Sequence, residues 1–540
     1  MKNLFVFAVA AITVFIPLGF SNFAFESTRV STAFFELVLP WIFLIWLVKN
    51  IKNGFKSVLS LPLLLLVSVA GFYFAGIFLY FKGGFNPICS EKLLLNMFFM
   101  ALFFVLTDED LKEKNMHNWL IYPSVAVFIF GILQSAGINP ANYGNEFLEK
   151  KRIFSTLANP NNLAFYANLV FFISLFYFTR TKKPFYCFIS FAALANLALT
   201  KSGSGFAGLL FGMLLLPLGF KKNIRVLTFF LQLILLVSLL AYAVYIKTDS
   251  FIYRSSLWSD SLRIFKERPL TGWGLGSFSY LYPEFRNPRI FLMLEDHQIE
   301  ILHPDNHYIY LAVEGGFIYL FIFLFLNGAL FFYLLKQRKK TELSVYYLAI
   351  LGSMLFQNIF SQSFYGLTPY FLYLYVFALA AKSLIHERAA SVEIQKIKNV
   401  IAAAFIILNL ASSVYAVRVF ASDLYLKKAV HYSQVKNLDK AEGFYEKAMD
   451  LNYFNVMPHY LLANLYLERG SEQDIYKALK LYNNVEYMAG NYLQVYAFKY
   501  LLYRRLGDNA RADFYFRKLR FSDPYVYYQF RHYIELELEE

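Results

Sequence analysis

The densest group of chemically competent side chains in this 540-residue chain lies between Tyr253 and His307. In order it holds Arg254-Ser-Ser-Leu-Trp258, then Arg263, then Glu267-Arg268-Pro-Leu-Thr-Gly272-Trp-Gly274-Leu-Gly276-Ser-Phe278, and last His303-Pro-Asp305-Asn306-His307. An imidazole such as His303 can take a proton from a hydroxyl near neutral pH, and a neighbouring carboxylate such as Asp305 can hold its tautomer. A guanidinium such as Arg254 grips a diphosphate with two prongs and stays charged. His303 and His307 have an i, i+4 spacing that could bind a metal. Pro304 disfavours helix at His303 and no further ligand is evident, so no metal is expected. An interfacial histidine that only hydrogen-bonds lipid headgroups is the plain alternative. Gly272, Gly274 and Gly276 follow no strand and lack P-loop spacing, so a nucleotide loop does not fit. They allow a re-entrant bend, a close backbone approach to a ligand, or simply a turn after Pro269.

The elements that must position these groups are membrane helices. With 58% hydrophobic and 16% charged residues and a mean hydropathy of +0.44, the chain has more apolar surface than a soluble fold can hide. The 61 Phe and 41 Tyr suit lipid-facing and interfacial surface, and by themselves indicate no ligand. The net charge of +14 gathers in short turns between apolar runs and forms no stripe on one face, which speaks for membrane topology and against nucleic acid. Cys89, in an expected outer loop, and Cys187, in an apolar run, have no CxxC or Cys/His metal spacing, so neither a disulfide nor a structural zinc is expected.

Segments able to cross ~30 Å of hydrocarbon run Leu4 to Phe20, Thr32 to Val48, Val58 to Tyr80, Leu93 to Thr107, Trp119 to Gly137, Leu163 to Phe178, Pro184 to Thr200, Phe206 to Phe220 and Val226 to Ile246. Further on come Tyr308 to Leu335, Val345 to Phe360, Leu367 to Ala381 and Val400 to Val417, roughly thirteen spans in all. Met1-Lys2-Asn3 gives the first a positive lead without an obvious small-residue cleavage site, so it reads as an uncleaved span. The basic turns at Lys49/Lys52/Lys56, Lys112/Lys114, Arg180/Lys182/Lys183, Lys221/Lys222/Arg225, Lys336/Arg338/Lys339/Lys340 and Lys382/Arg388/Lys396/Lys398 all fall on one side. That bias puts the N-terminus in the cytoplasm. Ile138 to Asn162, the loop 247–307 and everything after Arg418 then face outward.

After residue 421 the composition turns polar, with helical apolar spacing, and 422–540 reads as a separate soluble domain following the membrane domain 1–421. Ala429, Ala441, Ala448, Ala463, Ala478 and Ala512, followed by Pro524, recur so that Ala441, Ala478 and Ala512 stand about one tetratricopeptide period apart. Asn437-Leu-Asp-Lys-Ala-Glu-Gly-Phe-Tyr-Glu-Lys-Ala448 resembles the second helix of such a repeat. Stacked helix pairs of that kind leave a concave surface for a partner, although a plain helical-hairpin bundle would show similar alanines.

The order of motifs resembles the O-antigen ligase and Wzy polymerase superfamily of bacterial membrane glycosyltransferases over most of the membrane region. The residues that carry it begin with Phe154-Ser-Thr-Leu-Ala-Asn159-Pro160-Asn161-Asn162-Leu-Ala164 and Leu199-Thr200-Lys201-Ser202-Gly-Ser-Gly205. Arg254 with Trp258 and Arg268-Pro-Leu-Thr-Gly272-Trp-Gly-Leu-Gly276-Ser-Phe278 follow. The clearest is His303-Pro-Asp-Asn306-His-Tyr-Ile-Tyr-Leu311-Ala-Val-Glu314-Gly-Gly316.

The resemblance implies an all-α, multi-spanning helical fold in the bacterial inner membrane. It implies transfer of a glycan from an undecaprenyl diphosphate carrier at the periplasmic face, with no metal, nucleotide or other cofactor. The acceptor would be the lipid A core in ligases, another lipid-linked glycan in polymerases and a protein hydroxyl in O-oligosaccharyltransferases. Carried over residue by residue, Arg254 would hold the diphosphate and His303 would activate or orient the acceptor hydroxyl, with Asp305 or His307 sharing the proton. Asn306, Arg268, Asn159 and Glu314 are the further substrate-binding candidates. Two departures stand out. Many members have His directly before the motif's Asn, where this chain has Asp305, and the family often has Arg where this chain has Gly203. Lys201, Lys151 or Arg152 could replace that charge. A transporter or flippase of lipid-linked sugars is the rival class and predicts charged or broken helices at mid-membrane. A scaffold in which the repeat domain does the work would not need so many spans.

Overall fold

The computed structural model describes residues 2–83, 87–138, 148, 151–219, 233, 248–287, 290, 301–385, 398–522, 526–528 and 531. Every regular element among them is helical, so the protein is all-α. Among the described residues six helices are long and apolar enough to cross a membrane: Arg29–Asn53, Leu63–Tyr80, Glu113–Ser135, Pro160–Thr181, His307–Gln337 and Ile401–Gln434. Shorter apolar helices accompany them at Lys2–Phe15, Lys92–Leu106, Pro184–Thr200, Gly203–Gly219 and Leu367–Lys382. The segment expected as a span from Val345 is the 16-residue helix Glu342–Gln357. The expected span Val226 to Ile246 (apart from 233), the basic turns at Lys221/Lys222/Arg225 and Arg388/Lys396, most of 139–150, and Pro524 lie outside the described residues.

The chain divides into two compact units. One comprises Met1–Ala75, Leu94–Ile246 and Phe321–Phe420; the other comprises Gly76–Leu93, Lys247–Leu320 and Ala421–Glu540. In the first, helices approach closely through small residues, as apolar helices without a hydrophobic drive between them must. On helix Gly203–Leu215, a Cβ added at Gly208 would meet the Ser353 carbonyl oxygen at 2.8 Å, and one at Gly212 would meet that of Ala349 at 2.7 Å. Two glycines four apart thus seat this helix against the backbone of Glu342–Gln357.

In the second unit, most of the described residues within 247–307 are helical, in Thr248–Glu267 and Ser277–Phe285, rather than a connecting loop. Tyr253, Leu257 and Ile264 recur at i, i+4 and i+11, which builds one apolar face on helix Thr248–Glu267. That face packs with Phe278, Leu281 and Tyr282 of helix Ser277–Phe285 and with Tyr310 and Val313 of helix His307–Gln337. The C-terminal part is a run of amphipathic helices: Leu438–Leu451, Val456–Arg469, Glu472–Ala489, Val495–Arg505 and Asn509–Ser522. Asn437, Asn455 and Ser471 cap the first three through their side chains, and Gly470 and Gly507 close helices in the left-handed conformation. Ala441, Ala448, Ala463, Ala478 and Ala512 are all fully buried, so the recurring small residues do sit where helices pack.

Candidate active site

The site begins on one face of helix Thr248–Glu267, where Ser250, Arg254 and Trp258 stand four residues apart and line up. The Trp258 indole Nε1 donates to the Pro304 carbonyl at 2.9 Å and pins the His303–Asn306 turn against this face. Arg254 Nη1 donates to Ser250 Oγ at 2.7 Å, and its Nε lies 3.5 Å from Asp305 Oδ2. The other carboxylate oxygen of Asp305 lies 3.3 Å from His303 Nδ1. His303, Asp305 and Arg254 therefore form a continuous chain of polar contacts, each side chain partly exposed at 28–29%.

Asp305 takes a left-handed backbone (φ 50), which Asp tolerates better than most non-glycine residues, and its carboxylate lies between His303 and Arg254. Burial alone would raise its pKa. The hydrogen bond and charge of His303, followed by those of Arg254, outweigh this and hold the carboxyl below its ordinary range. An ionised carboxylate only accepts, so in a neutral imidazole the nitrogen facing Asp305, Nδ1, would be the protonated one and Nε2 the acceptor. Asn306 serves the helix first: its Oδ1 accepts from the Tyr308 and Ile309 backbone N–H groups at 3.0 and 3.1 Å, an N-cap. His307 opens the helix and is buried, its ring roughly parallel to that of Tyr310 at 6.4 Å.

Behind this array the helix His307–Gln337 is broken at Gly316 (φ 67, ψ −171). In an intact helix the N–H groups of Phe317 and Ile318 would bond the carbonyls of Val313 and Glu314. Here they bond Pro269 and Leu270 at 2.7 and 3.2 Å, while the Val313 and Glu314 carbonyls accept from Trp273 and Gly274 at 3.1 and 2.8 Å. The glycine-rich turn thus makes a close backbone approach to the protein's own helix. It fills the break and leaves none of these four groups orphaned. Arg268, a substrate-binding candidate, lays its guanidinium over the Trp273 ring at 3.9 Å. Glu314, another, is 1% exposed and faces Lys92 Nζ at 3.4 Å; Lys92 also donates to the Tyr310 hydroxyl. Sequence reading missed Lys92, whose only signal was a lone cation just before the span at Leu93. Trp258 was noted for its spacing, without the anchoring role it has here.

Arg152, Asn159 and Lys201 belong to the first unit. Arg152 Nε donates to the Thr200 carbonyl at 3.0 Å, Asn159 caps helix Pro160–Thr181 by accepting from Asn161 N at 2.8 Å, and Lys201 ends helix Pro184–Thr200 in a left-handed turn. Ser202 Oγ caps the next helix and donates to Asn161 Oδ1 at 2.7 Å, joining the two motif segments. A Cβ built on Gly203 meets nothing within 4 Å, so this position is open space.

Fold and site together define a helical protein with several membrane-length apolar helices, carrying a histidine–carboxylate–guanidinium array on a helix and turn outside them. Residues 188–324 match the family model described as O-antigen ligase. That segment contains the motifs from Lys201 to Glu314, and the match supports a likeness to O-antigen ligases and glycan transfer in general terms. No curated protein matches the chain.

Proposed function

We propose that this protein transfers a glycan from an undecaprenyl diphosphate carrier to an acceptor hydroxyl at the periplasmic face of the bacterial inner membrane. The observation that carries the reading is the His303–Asp305–Arg254 array within the matched segment. The acceptor oxygen attacks the anomeric carbon, its proton passes to His303 Nε2, and the bond from that carbon to the diphosphate oxygen breaks. The lipid diphosphate leaves with the electron pair. A single displacement inverts the anomeric centre. Asp305 fixes the His303 tautomer and stabilises the imidazolium that forms, a role worth ~10²–10⁴ in rate for general-base catalysis. Arg254 supplies positive charge where negative charge grows on the leaving diphosphate. The reading needs no metal, because a guanidinium meets that demand.

Its orientation follows from the positive-inside bias, which puts the N-terminus in the cytoplasm and the 247–307 segment and the C-terminal domain in the periplasm. In this reading 422–540 is a tetratricopeptide-like domain that recruits an acceptor, a protein partner or a chain-length factor. A ligase is the leading assignment, with polymerase and protein O-oligosaccharyltransferase next. Gene deletion followed by gel analysis of surface polysaccharide separates them. Loss of all long chains from lipid A with lipid-linked polymer accumulating indicates a ligase, and capping by single units a polymerase. Intact polysaccharide with lost glycoprotein indicates the third. An unchanged glycan profile in every fraction contradicts the proposal.

A further inference from the structure

In the first unit, an open basin of about 570 Å³ is lined by Arg180, Arg338, Lys339 and Lys340, with Glu342 as the one carboxylate among its lining residues. That is in the ~300–1,000 Å³ range of ligand-sized clefts. The cations come from the ends of apolar helices. Arg180 lies in the last turn of Pro160–Thr181, and Arg338 to Lys340 directly follow His307–Gln337, both of membrane length. Leu218 and Gly219, at the end of Gly203–Gly219, complete the rim. Cations so placed stand where a membrane helix passes from acyl chains to headgroups.

These charges are loosely held. Arg180 Nη2 pairs with Glu342 Oε2 at 3.3 Å, but both side chains are more than half exposed, and such a pair contributes little. Arg338 Nη1 donates back to the Leu335 carbonyl at 2.6 Å, and neither Lys339 nor Lys340 enters an ion pair or side-chain hydrogen bond among the described residues. Helix Glu342–Gln357 begins at the basin, and its N-cap Thr341 makes no side-chain capping bond; the Thr341 hydroxyl instead shares a hydrogen bond with Ser344 Oγ at 2.6 Å. A helix N-terminus left open in this way adds partial positive charge. Along His307–Gln337, Phe321, Phe325 and Phe332 recur at i, i+4 and i+11 and are exposed, which gives the helix that ends at these cations an apolar outer face. A ligand that answers both features carries a phosphate on an apolar tail.

We propose that this basin binds the phosphate of an anionic phospholipid, and that Glu342 competes with that phosphate for Arg180. The site is independent of the chemistry at His303. Full-length protein in neutral detergent is titrated with phosphatidylglycerol, with phosphatidylcholine and with inorganic phosphate, and bound molecules are counted by native mass spectrometry. Phosphatidylglycerol should bind more tightly than phosphatidylcholine, and inorganic phosphate at equal concentration should not displace it. One cation beside an anionic lipid is worth roughly fivefold, so Lys339→Gln combined with Lys340→Gln should bind phosphatidylglycerol about 25-fold more weakly. Lys112→Gln combined with Lys114→Gln removes the same charge from exposed positions outside the basin and should bind as wild type does. Glu342→Gln should bind about fivefold more tightly, a gain that misfolding cannot produce. Equal losses in the two double variants, no preference over phosphatidylcholine, displacement by inorganic phosphate, or weaker binding by Glu342→Gln overturns the proposal.

Discussion

Gly272 and Gly316 sit backbone against backbone: a Cβ on Gly272 would lie 2.4 Å from the Glu314 carbonyl oxygen, and one on Gly316 would lie 2.3 Å from the Leu270 carbonyl carbon. Both have positive φ, 59° and 67°, so a side chain would be strained as well as crowded. This contact exchanges four helical hydrogen-bonding groups with the glycine-rich turn at the break in helix His307–Gln337.

Gly272→Ala and Gly316→Ala should each cost about 2 kcal/mol or more, the scale of forced left-handed backbone plus steric conflict. Because both substitutions break the same joint, their combined cost should fall short of the sum. Thermal unfolding of the detergent-purified variants measures this. Wild-type melting in either variant would show that the joint is dispensable.

Asp305 links the two bases, so Asp305→Asn should lower turnover by ~10²-fold or more, within the range for a general base and its partner. Its folded-state pKa is depressed, so the stability it adds is present above its unfolded pKa and is lost as pH falls through the lower folded value. The stability difference between wild type and Asp305→Asn should therefore be constant near neutrality and shrink as the pH falls through the ordinary carboxylate range and below it. Urea titrations at each pH give the difference. A gap that widened on acidification would contradict the assigned ion pairs.

Much of this arrangement could be read from residue order, and the gaps have physical causes. The all-α character followed from apolar runs, whereas His303, Asp305, His307 and Arg254 were candidates from residue chemistry and the family resemblance, with no indication of the contacts between Asp305, His303 and Arg254. The helix Thr248–Glu267 was hidden because its polar density resembled a loop, while its apolar face repeats only through Tyr253, Leu257 and Ile264. The broken helix that the transporter reading predicts does occur, at Gly316, but the protein's own turn fills the break. Lys92 escaped notice because its pairing with Glu314 spans 222 residues, a separation over which no local pattern carries information.

That buried pair makes its own prediction. Lys92→Met leaves the Glu314 carboxylate at 1% exposure without its cation, a change that costs about 3–5 kcal/mol when one partner of a buried pair is removed. Lys92→Met combined with Glu314→Gln should recover most of the stability. Melting temperatures in detergent decide it: equal values for Lys92→Met and wild type would mean that the pair carries no weight.

Gly203 opens onto empty space beside Ser202, and Arg152 is tethered to the adjacent Thr200 carbonyl. Gly203→Arg should fold normally, Arg152→Ala should lose transfer activity, and adding Gly203→Arg to Arg152→Ala should restore part of it. Turnover assays on the three variants test the substitution of one charge for the other. Full activity in Arg152→Ala would remove Arg152 from that role.

In the proposed reaction His303, poised by Asp305, accepts the proton of the attacking hydroxyl. The most direct measurement is glycan transfer by purified protein from an undecaprenyl diphosphate-linked glycan, comparing wild type with His303→Ala at matched melting temperature. Wild type is expected to turn over, and His303→Ala to lose ~10²–10⁴-fold. Turnover by His303→Ala at the wild-type rate would contradict it.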